Sequence, residues 1–205
     1  RWMSNKILIH LAQGCLQLEV LRMVYCEFVT DGGILALAQH CPKLHTISLG
    51  RFYNMPDSCI FAMCERCPLI QHISLDCENS CSDDAFMAIL KAYPHLKSLR
   101  LNKLLHVDNV LAIAKYCNEL ENVAFRFSAD YDDSKNTGAA ITALGAANPH
   151  LIDIDISLSL LITDADIISL AQCCPKLESV NIFACLKISD VSAIALAEHC
   201  PNLTA

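Results

Sequence analysis

Residues 34–49 read ILALAQHCPKLHTISL, and close variants of this stretch recur along the whole chain. Each variant carries an anchor residue, most often cysteine, at the position of Cys41. The anchors are Cys15, Cys41, Cys67, Tyr93, Cys117, Asn148, Cys174 and Cys200, at intervals of 26, 26, 26, 24, 31, 26 and 26 residues. A fixed period of roughly 20 to 50 residues is the signature of a stacked-repeat solenoid, which offers long recognition surfaces more readily than an enclosed catalytic pocket. The repeat therefore predicts a binding module.

Each repeat contains one short strand and one helix. Apolar residues alternate after the anchor, as at Ile47 and Leu49, which is typical of a strand with one buried face. The spacing then becomes helical, after a short side chain followed by aspartate, as in Thr163-Asp164 and Ser189-Asp190, which favours a helix start. Six prolines directly follow an anchor, where they cannot continue a helix. The sequence predicts one α/β solenoid domain over residues 1–205: a curved horseshoe of about seven repeats, with parallel strands on the concave face and helices on the convex face.

The combined pattern resembles a known repeat. It reads C-P-x-L-x-x-I-x-L, then a cysteine at Cys26 or Cys185, then I-S/T-D and L-A-x-x-C. This is similar to the cysteine-containing leucine-rich repeat of F-box/LRR proteins and of relatives such as the antagonist of mitotic exit. The resemblance covers essentially the whole chain. The unit ending at Cys117 is two residues shorter than the 26-residue period, however, and the next unit is five residues longer. It implies that the repeats recruit a client protein, and that an F-box, not visible here, joins them to the adaptor of an SCF-type ubiquitin ligase. Both ends of the chain read as cut from a longer array.

Composition narrows the class of partner. The formal net charge is −7, and no basic stripe is present, which speaks against nucleic-acid binding. Aspartates interrupt the most apolar stretch, residues 152–170, so we expect no transmembrane helix and no membrane partner. The chain has thirteen cysteines and no visible secretory signal. We expect most of these cysteines to be buried, free thiols, which are typical of a reducing compartment, so we expect a cytoplasmic or nuclear protein.

Metal binding and catalysis are both disfavoured by the repeat register. Cys64 and Cys67, followed by Cys77 and Cys81, have zinc-ligand spacing when read alone. In register, however, they fall on different layers and cannot converge on one ion. Four of the eight histidines, His40, His95, His150 and His199, fall at helix ends or turns in the repeat register, and nothing singles out a general acid or base, so we expect neither enzyme activity nor a cofactor.

The residues that alternate with the buried strand positions should point into the concave surface. Their five basic and three acidic residues give a local charge of +2 on an acidic chain. The side chains expected to contact a client there are Arg22, Arg51, His72, Arg100, Asn102, Lys103, Arg126, Phe127, Asp153, Asp155 and Phe183. Arg100, Lys103, Arg126 and Phe127 fall on adjacent strands and predict a pocket for an acidic or phosphorylated segment, because arginine clamps carboxylates and phosphates. A solvated sheet face without a ligand is the alternative.

The long repeat carries an insertion, SADYDDSKNTG at residues 128–138. Extra length in a repeat is commonly a loop on the binding face. Asp130, Tyr131, Asp132 and Asp133 would contact a basic partner or fold back over Arg126; a loop of no consequence is equally compatible with the sequence. A second hypothesis for the whole chain is a scaffold subunit of a large assembly, such as a ciliary or cytoskeletal one. The polar helix residues, such as Gln39, Glu65 and Lys115, speak against it.

Overall fold

The computed structural model describes residues 4–23, 29–50, 55–76, 82–127 and 137–205. Within these ranges strands and helices alternate along the chain. The helices are α1 (Asn5–Gly14), α2 (Asp31–His40), α3 (Asp57–Arg66), α4 (Asp83–Ala92), α5 (Val107–Tyr116), α6 (Thr137–Ala147), α7 (Asp164–Cys173) and α8 (Asp190–His199). The strands are β1 (Val20–Met23), β2 (Thr46–Gly50), β3 (His72–Asp76), β4 (Ser98–Leu105), β5 (Asn122–Phe127), β6 (Asp153–Asp155) and β7 (Ser179–Asn181).

The chain forms two compact units, Arg1–Lys103 and Leu104–Ala205. In the first unit β1 to β4 pair in parallel, each with the next, and Ile47 lies opposite Ile73, which lies opposite Leu99. In the second unit β5, β6 and β7 pair in the same way, with Val123, Ile154 and Val180 in register. This strand–helix repeat confirms the predicted α/β solenoid.

In each unit, one face of the paired strands is part of the core. The alternating apolar residues predicted to be buried are so in nearly every strand; Ile47, Ile73, Leu99 and Ile154 are each at most 2% exposed. Helix residues cover them, and among the residues that the structure describes Phe86 on α4 is the largest fully buried side chain. Burial at roughly 25 cal/mol per Å² of apolar surface makes these layers the main source of stability.

Anchor cysteines hydrogen-bond to the preceding repeat. The Cys41 thiol lies 3.8 Å from the Ala12 carbonyl oxygen and 3.7 Å from that of Cys15, and it donates toward them. Cys67, Cys174 and Cys200 make the same pair of contacts with carbonyls 29 and 26 residues earlier. Cysteine at this position therefore fills a tight layer and also satisfies carbonyls at the end of the neighbouring helix.

Asn148 fills the anchor position differently. Its Oδ1 accepts the Leu120 backbone N–H at 2.9 Å, and its Nδ2 donates to the Leu144 carbonyl at 3.1 Å. The side chain is fully buried. An amide can both accept and donate, so Asn148 binds the end of the preceding repeat and the end of its own helix at once.

The aspartates that open the helices have a wider role than the predicted capping. Ser82 and Ser189 do cap their own helices, because their hydroxyl oxygens accept from the Ala85 and Val191 amides. Asp57 and Asp164, however, accept the backbone N–H of the residue 25 positions later, Ser82 and Ser189, at 3.0 and 2.9 Å. These carboxylates tie each helix start to the next repeat.

Asp164 is held by three donors. The Ser192 hydroxyl donates to it at 2.5 Å, and the Ser189 amide and hydroxyl donate at 2.9 and 2.7 Å. These hydrogen bonds, that of Ser192 first, lower the pKa of Asp164 to about 2. Because the unfolded carboxyl titrates near ~3.9, the ionised form stabilises the fold above that pH, and the contribution is lost as pH falls toward 2.

We expect Asp164→Asn to lower the melting temperature at pH 6, and the gap to the wild type to close between pH 4 and pH 2. Asp190→Asn, at the equivalent exposed position of α8, is the control and should show a smaller gap. Circular dichroism melts across this pH range measure both. A gap for Asp164→Asn that stays constant with pH would contradict the assigned role of the charge.

The two adjacent glycines of α2 differ in their surroundings. A β-carbon at Gly33 would lie 2.8 Å from Leu8 Cδ2 and 3.0 Å from Asn5 Oδ1, whereas at Gly32 the nearest atom is 3.8 Å away. We expect Gly33→Ala to lower the free energy of unfolding by about 1 kcal/mol, since overpacking against α1 outweighs the gain in helix propensity. Gly32→Ala should raise the free energy of unfolding by ~0.5 kcal/mol or more. Urea unfolding measures both variants, and equal changes in the free energy of unfolding would contradict the close contact between α1 and α2 at Gly33.

Candidate functional site

The sheet face opposite the core carries a polar row in the first unit. Arg22, Ser48, Ser74 and Arg100 lie side by side on β1 to β4, in one register. Arg22 is exposed and the other three are half-buried. At about 4.8 Å per strand, the two arginines are about 14 Å apart along the row. A row of this length can contact several consecutive residues of an extended segment.

Other predicted contacts of this unit lie around the row. His72 is half-buried on β3, and Asn102 is exposed on β4. Thr46, at the start of β2, is buried, and its hydroxyl lies 3.1 Å from His45 Nδ1, so it does not extend the surface. Arg51 and the side chain of Lys103 lie outside the described part of the chain.

The second unit carries a more acidic face. Asp153 and Asp155 on β6 and Arg126 on β5 are half-buried, and Phe183, just after β7, is 74% exposed. Asp155 accepts from the Ser157 amide and from Asn181 Nδ2, each at 3.0 Å. These two hydrogen bonds hold the carboxylate of Asp155 in place on this face.

Phe127 corrects the prediction for this face. It is only 2% exposed, and its ring meets that of Phe125 edge-on at a centroid distance of 5.3 Å. The strand alternation continues through β5, so Phe127 points into the core as Phe125 does. Its backbone N–H also donates to the buried Ser159 hydroxyl at 3.0 Å. The ring of Phe127 is therefore part of the core and is not presented on this face.

The predicted insertion loop remains a prediction. Asp130, Tyr131, Asp132 and Asp133 lie outside the described residues, as do Cys77 and Cys81. Whether these residues contact a basic partner or fold back over Arg126 therefore stays a hypothesis from the sequence.

Sequence reasoning missed an apolar row on the helices. The position six residues before the anchor is apolar in seven of eight helices. Leu35, Phe61, Leu111 and Ile194 are 36%, 45%, 37% and 58% exposed there. In the first unit Leu35 and Phe61 line an open groove of about 660 Å³, together with polar residues such as Glu65 and Arg66. The helix surface is thus less polar than predicted.

Burial makes the anchor thiols poor nucleophiles and poor metal ligands. Desolvation raises the pKa of Cys67 to about 11 and those of Cys117 and Cys174 to about 12. Thiolates are the species that react and bind metals, so raised values oppose both. In the part of the chain that the structure describes, no three His, Cys, Asp or Glu residues are grouped closely enough to hold a metal ion.

We expect the buried anchors to resist alkylation in the native state, unlike the exposed anchor Cys15. At pH 8, iodoacetamide should modify the exposed Cys15 quickly, while Cys67, Cys117 and Cys174 react only after unfolding in urea. One isotopic form of iodoacetamide is used before unfolding and another after it. Peptide mass spectrometry then gives the fraction of each cysteine that was modified in the native state. Rapid native labelling of Cys174 would contradict the packed repeat layers.

Comparison with solved structures identifies the fold. The chain is similar to a structure of a Rad7–Elc1 complex from yeast, with a TM-score of 0.79 and 16% identity, over 98% of this chain and 56% of that one. It is also similar to the leucine-rich repeat-containing protein LegL7 from Legionella pneumophila, with a TM-score of 0.50 and 13% identity, over 98% and 77%. The chain has a leucine-rich-repeat fold. It spans a little over half the length of the matched yeast chain.

Sequence comparisons add nothing to this result. No family model matches the chain, and no curated protein matches it. Among the helices that the structure describes, none has the length and hydropathy to cross a membrane.

Proposed function

We propose that this chain recognises a client protein on the polar face of its sheet, as the substrate-recognition part of an SCF-type ubiquitin ligase in the cytoplasm or nucleus. The observation that carries the proposal is the row Arg22, Ser48, Ser74 and Arg100, in register on four strands whose opposite face is core. The core fixes the strands, so the row is a preorganised surface, and binding loses little conformational entropy.

Two further facts support the ligase part. The sequence resembles the cysteine-containing repeat of F-box/LRR proteins, and the matched Rad7 structure is a complex with another protein, Elc1. The arginines suit a client segment that is acidic or phosphorylated, because a guanidinium can bind two oxygens of a carboxylate or phosphate at once.

Affinity purification of the full-length protein from cells tests this function. We expect ligase adaptor and cullin to co-purify with both wild type and an Arg22→Glu/Arg100→Glu variant, and at least one client to disappear only from the variant. Gln172→Glu, an exposed substitution on α7, controls for added negative charge. Clients retained by the arginine variant would contradict recognition on this row, and absence of ligase subunits from all samples would contradict the ligase role.

The exposed apolar residues on the helices favour a second candidate, a scaffold subunit. Leu35 and Phe61 would dock against a fixed neighbour, since an exposed apolar groove is typical of an interface. In that case Phe61→Asp would release a constant set of structural partners, while the arginine variant would keep them. The same purification with Phe61→Asp therefore separates the two functions.

A further inference from the structure

We propose, on the basis of the client recognition proposed above, that the client residue bound on the first unit is a phosphoserine or phosphothreonine. Its phosphate lies over the hydroxyl pair, defined as Ser48 and Ser74. Arg22 and Arg100, the neighbours of the pair on either side, bind the same phosphate. The sheet face thus selects one chemical group, and the two serines are ligands of that group.

The hydroxyl pair lies at the centre of the polar row. Ser48 is in register with Arg22 of β1 and with Ser74, and Ser74 is in register with Arg100 of β4. The residues that flank each serine along its strand are core residues, at most 6% exposed, so alternation directs both serines to the open face. Each serine has a paired strand on both sides and is still only half-buried. Its access to a ligand therefore does not depend on the edge of the sheet.

Both hydroxyls are available to a ligand. Among the side-chain hydrogen bonds of the residues that the structure describes, none involves the hydroxyl of Ser48 or Ser74. The two side chains start from neighbouring strands about 4.8 Å apart, so they can donate to two oxygens of one bound group. The pair therefore offers two donors to a ligand, and binding breaks no hydrogen bond of these hydroxyls within the protein.

The arginines flank the hydroxyl pair at a suitable distance. The midpoint of the pair is about 7 Å along the row from the backbone of each arginine, which an extended arginine side chain spans. Arg22 belongs to this face through its register with Ser48. Arg100 has an interaction within the protein, but a guanidinium carries five donors, so such an interaction leaves others for a ligand. One anion over the pair can therefore receive donors from both sides.

This arrangement suits a phosphate better than a carboxylate. A carboxylate has two oxygens, and one arginine can satisfy both of them in a bidentate pair. A phosphorylated side chain carries a charge of about −1.5 to −2 and three acceptor oxygens, so it can use the hydroxyl pair and both arginines together. The chain has a formal net charge of −7, which repels a polyanion such as nucleic acid. A single phosphate on a protein segment is the ligand that fits both facts.

Peptide selection on the purified chain tests the proposal. Three libraries with random flanks carry phosphoserine, glutamate or serine at one fixed central position. Enriched peptides are labelled with a fluorophore and titrated by polarisation against wild type and variants. The variants are Ser48→Ala/Ser74→Ala, Arg22→Gln/Arg100→Gln and, as the matched control, Ser58→Ala, an exposed serine on α3 of the same unit. Thermal melts show whether each variant is folded.

We expect enrichment from the phosphoserine library alone. Loss of hydrogen bonds to a charged group should weaken binding about tenfold or more in each double variant, while Ser58→Ala binds as wild type does. The serine variant should melt as wild type does, because its hydroxyls have no partner to lose.

Two results would overturn the phosphate site and leave the proposed function intact. Glutamate peptides that bind as tightly as phosphoserine peptides, or full affinity in Ser48→Ala/Ser74→Ala, would mean that the arginines alone recognise an acidic segment. Absence of enrichment from all three libraries would also overturn the phosphate site. The client purification with Arg22→Glu/Arg100→Glu would then decide the proposed function separately.

Discussion

Phe86→Ala is expected to lower the free energy of unfolding by about 3–5 kcal/mol. Phe86, on α4 of the first unit, is fully buried and is the largest such side chain in the described ranges. Truncation removes its buried apolar surface and leaves a cavity that rigid neighbouring layers cannot fill completely. Since each repeat contacts only its neighbours, the loss should be concentrated in the first unit.

Phe61→Ala is the matched control for this prediction. Phe61 is on α3 of the same unit and is 45% exposed, so its truncation should cost about 1 kcal/mol or less. Urea unfolding followed by circular dichroism at 222 nm, with hydrogen exchange to locate the loss, measures both variants. Similar costs for the two phenylalanines would contradict the assignment of inward and outward helix faces.

Asn148→Ala should cost about 2–3 kcal/mol, although it removes little apolar surface. The Leu120 N–H would lose its acceptor in a fully buried site, and the Leu144 carbonyl would lose a donor. Leaving one buried donor or acceptor without a partner costs ~1–3 kcal/mol of stability. Losing two hydrogen bonds at one buried position should therefore cost more than a typical surface substitution.

Asn118→Ala provides the control, because Asn118 is an exposed residue immediately after the anchor Cys117. Its substitution should change the free energy of unfolding by about 0.5 kcal/mol or less. Thermal and urea unfolding of both variants test the difference. If Asn148→Ala lowered the free energy of unfolding by less than about 0.5 kcal/mol, the side-chain amide of Asn148 would not be what joins these repeats.

The period of the sequence was sufficient to predict strands, helices and their buried faces. Ile47, Ile73 and Ile154 are buried where alternation placed them, because a strand with one covered face has only two ways to orient its side chains. Helix starts at Asp31, Asp83, Asp164 and Asp190 also follow the predicted junctions. These features depend on local pattern, which a single repeat already contains.

Features that depend on stacking could not be predicted. Phe127 was predicted to lie on the open face beside Arg126, but the alternation of buried and half-buried residues continues to the end of β5 and places Phe127 in the core. The bond from Ser189 to Asp164 joins residues 25 positions apart, and only the offset between repeats brings them together. Exposure of Phe61 likewise depends on how closely neighbouring helices approach, which spacing along one helix does not fix.

Site-specific photo-crosslinking tests most directly whether the sheet face binds the client. p-Benzoylphenylalanine is placed at Ser74, on the polar row between the strands of Ser48 and Arg100, or at Phe61 on the helix face. After irradiation in cells, the account predicts a client cross-linked through position 74 and not through position 61. Cross-links to protein partners through position 61 alone would contradict recognition on the sheet and identify the helix groove as the interface.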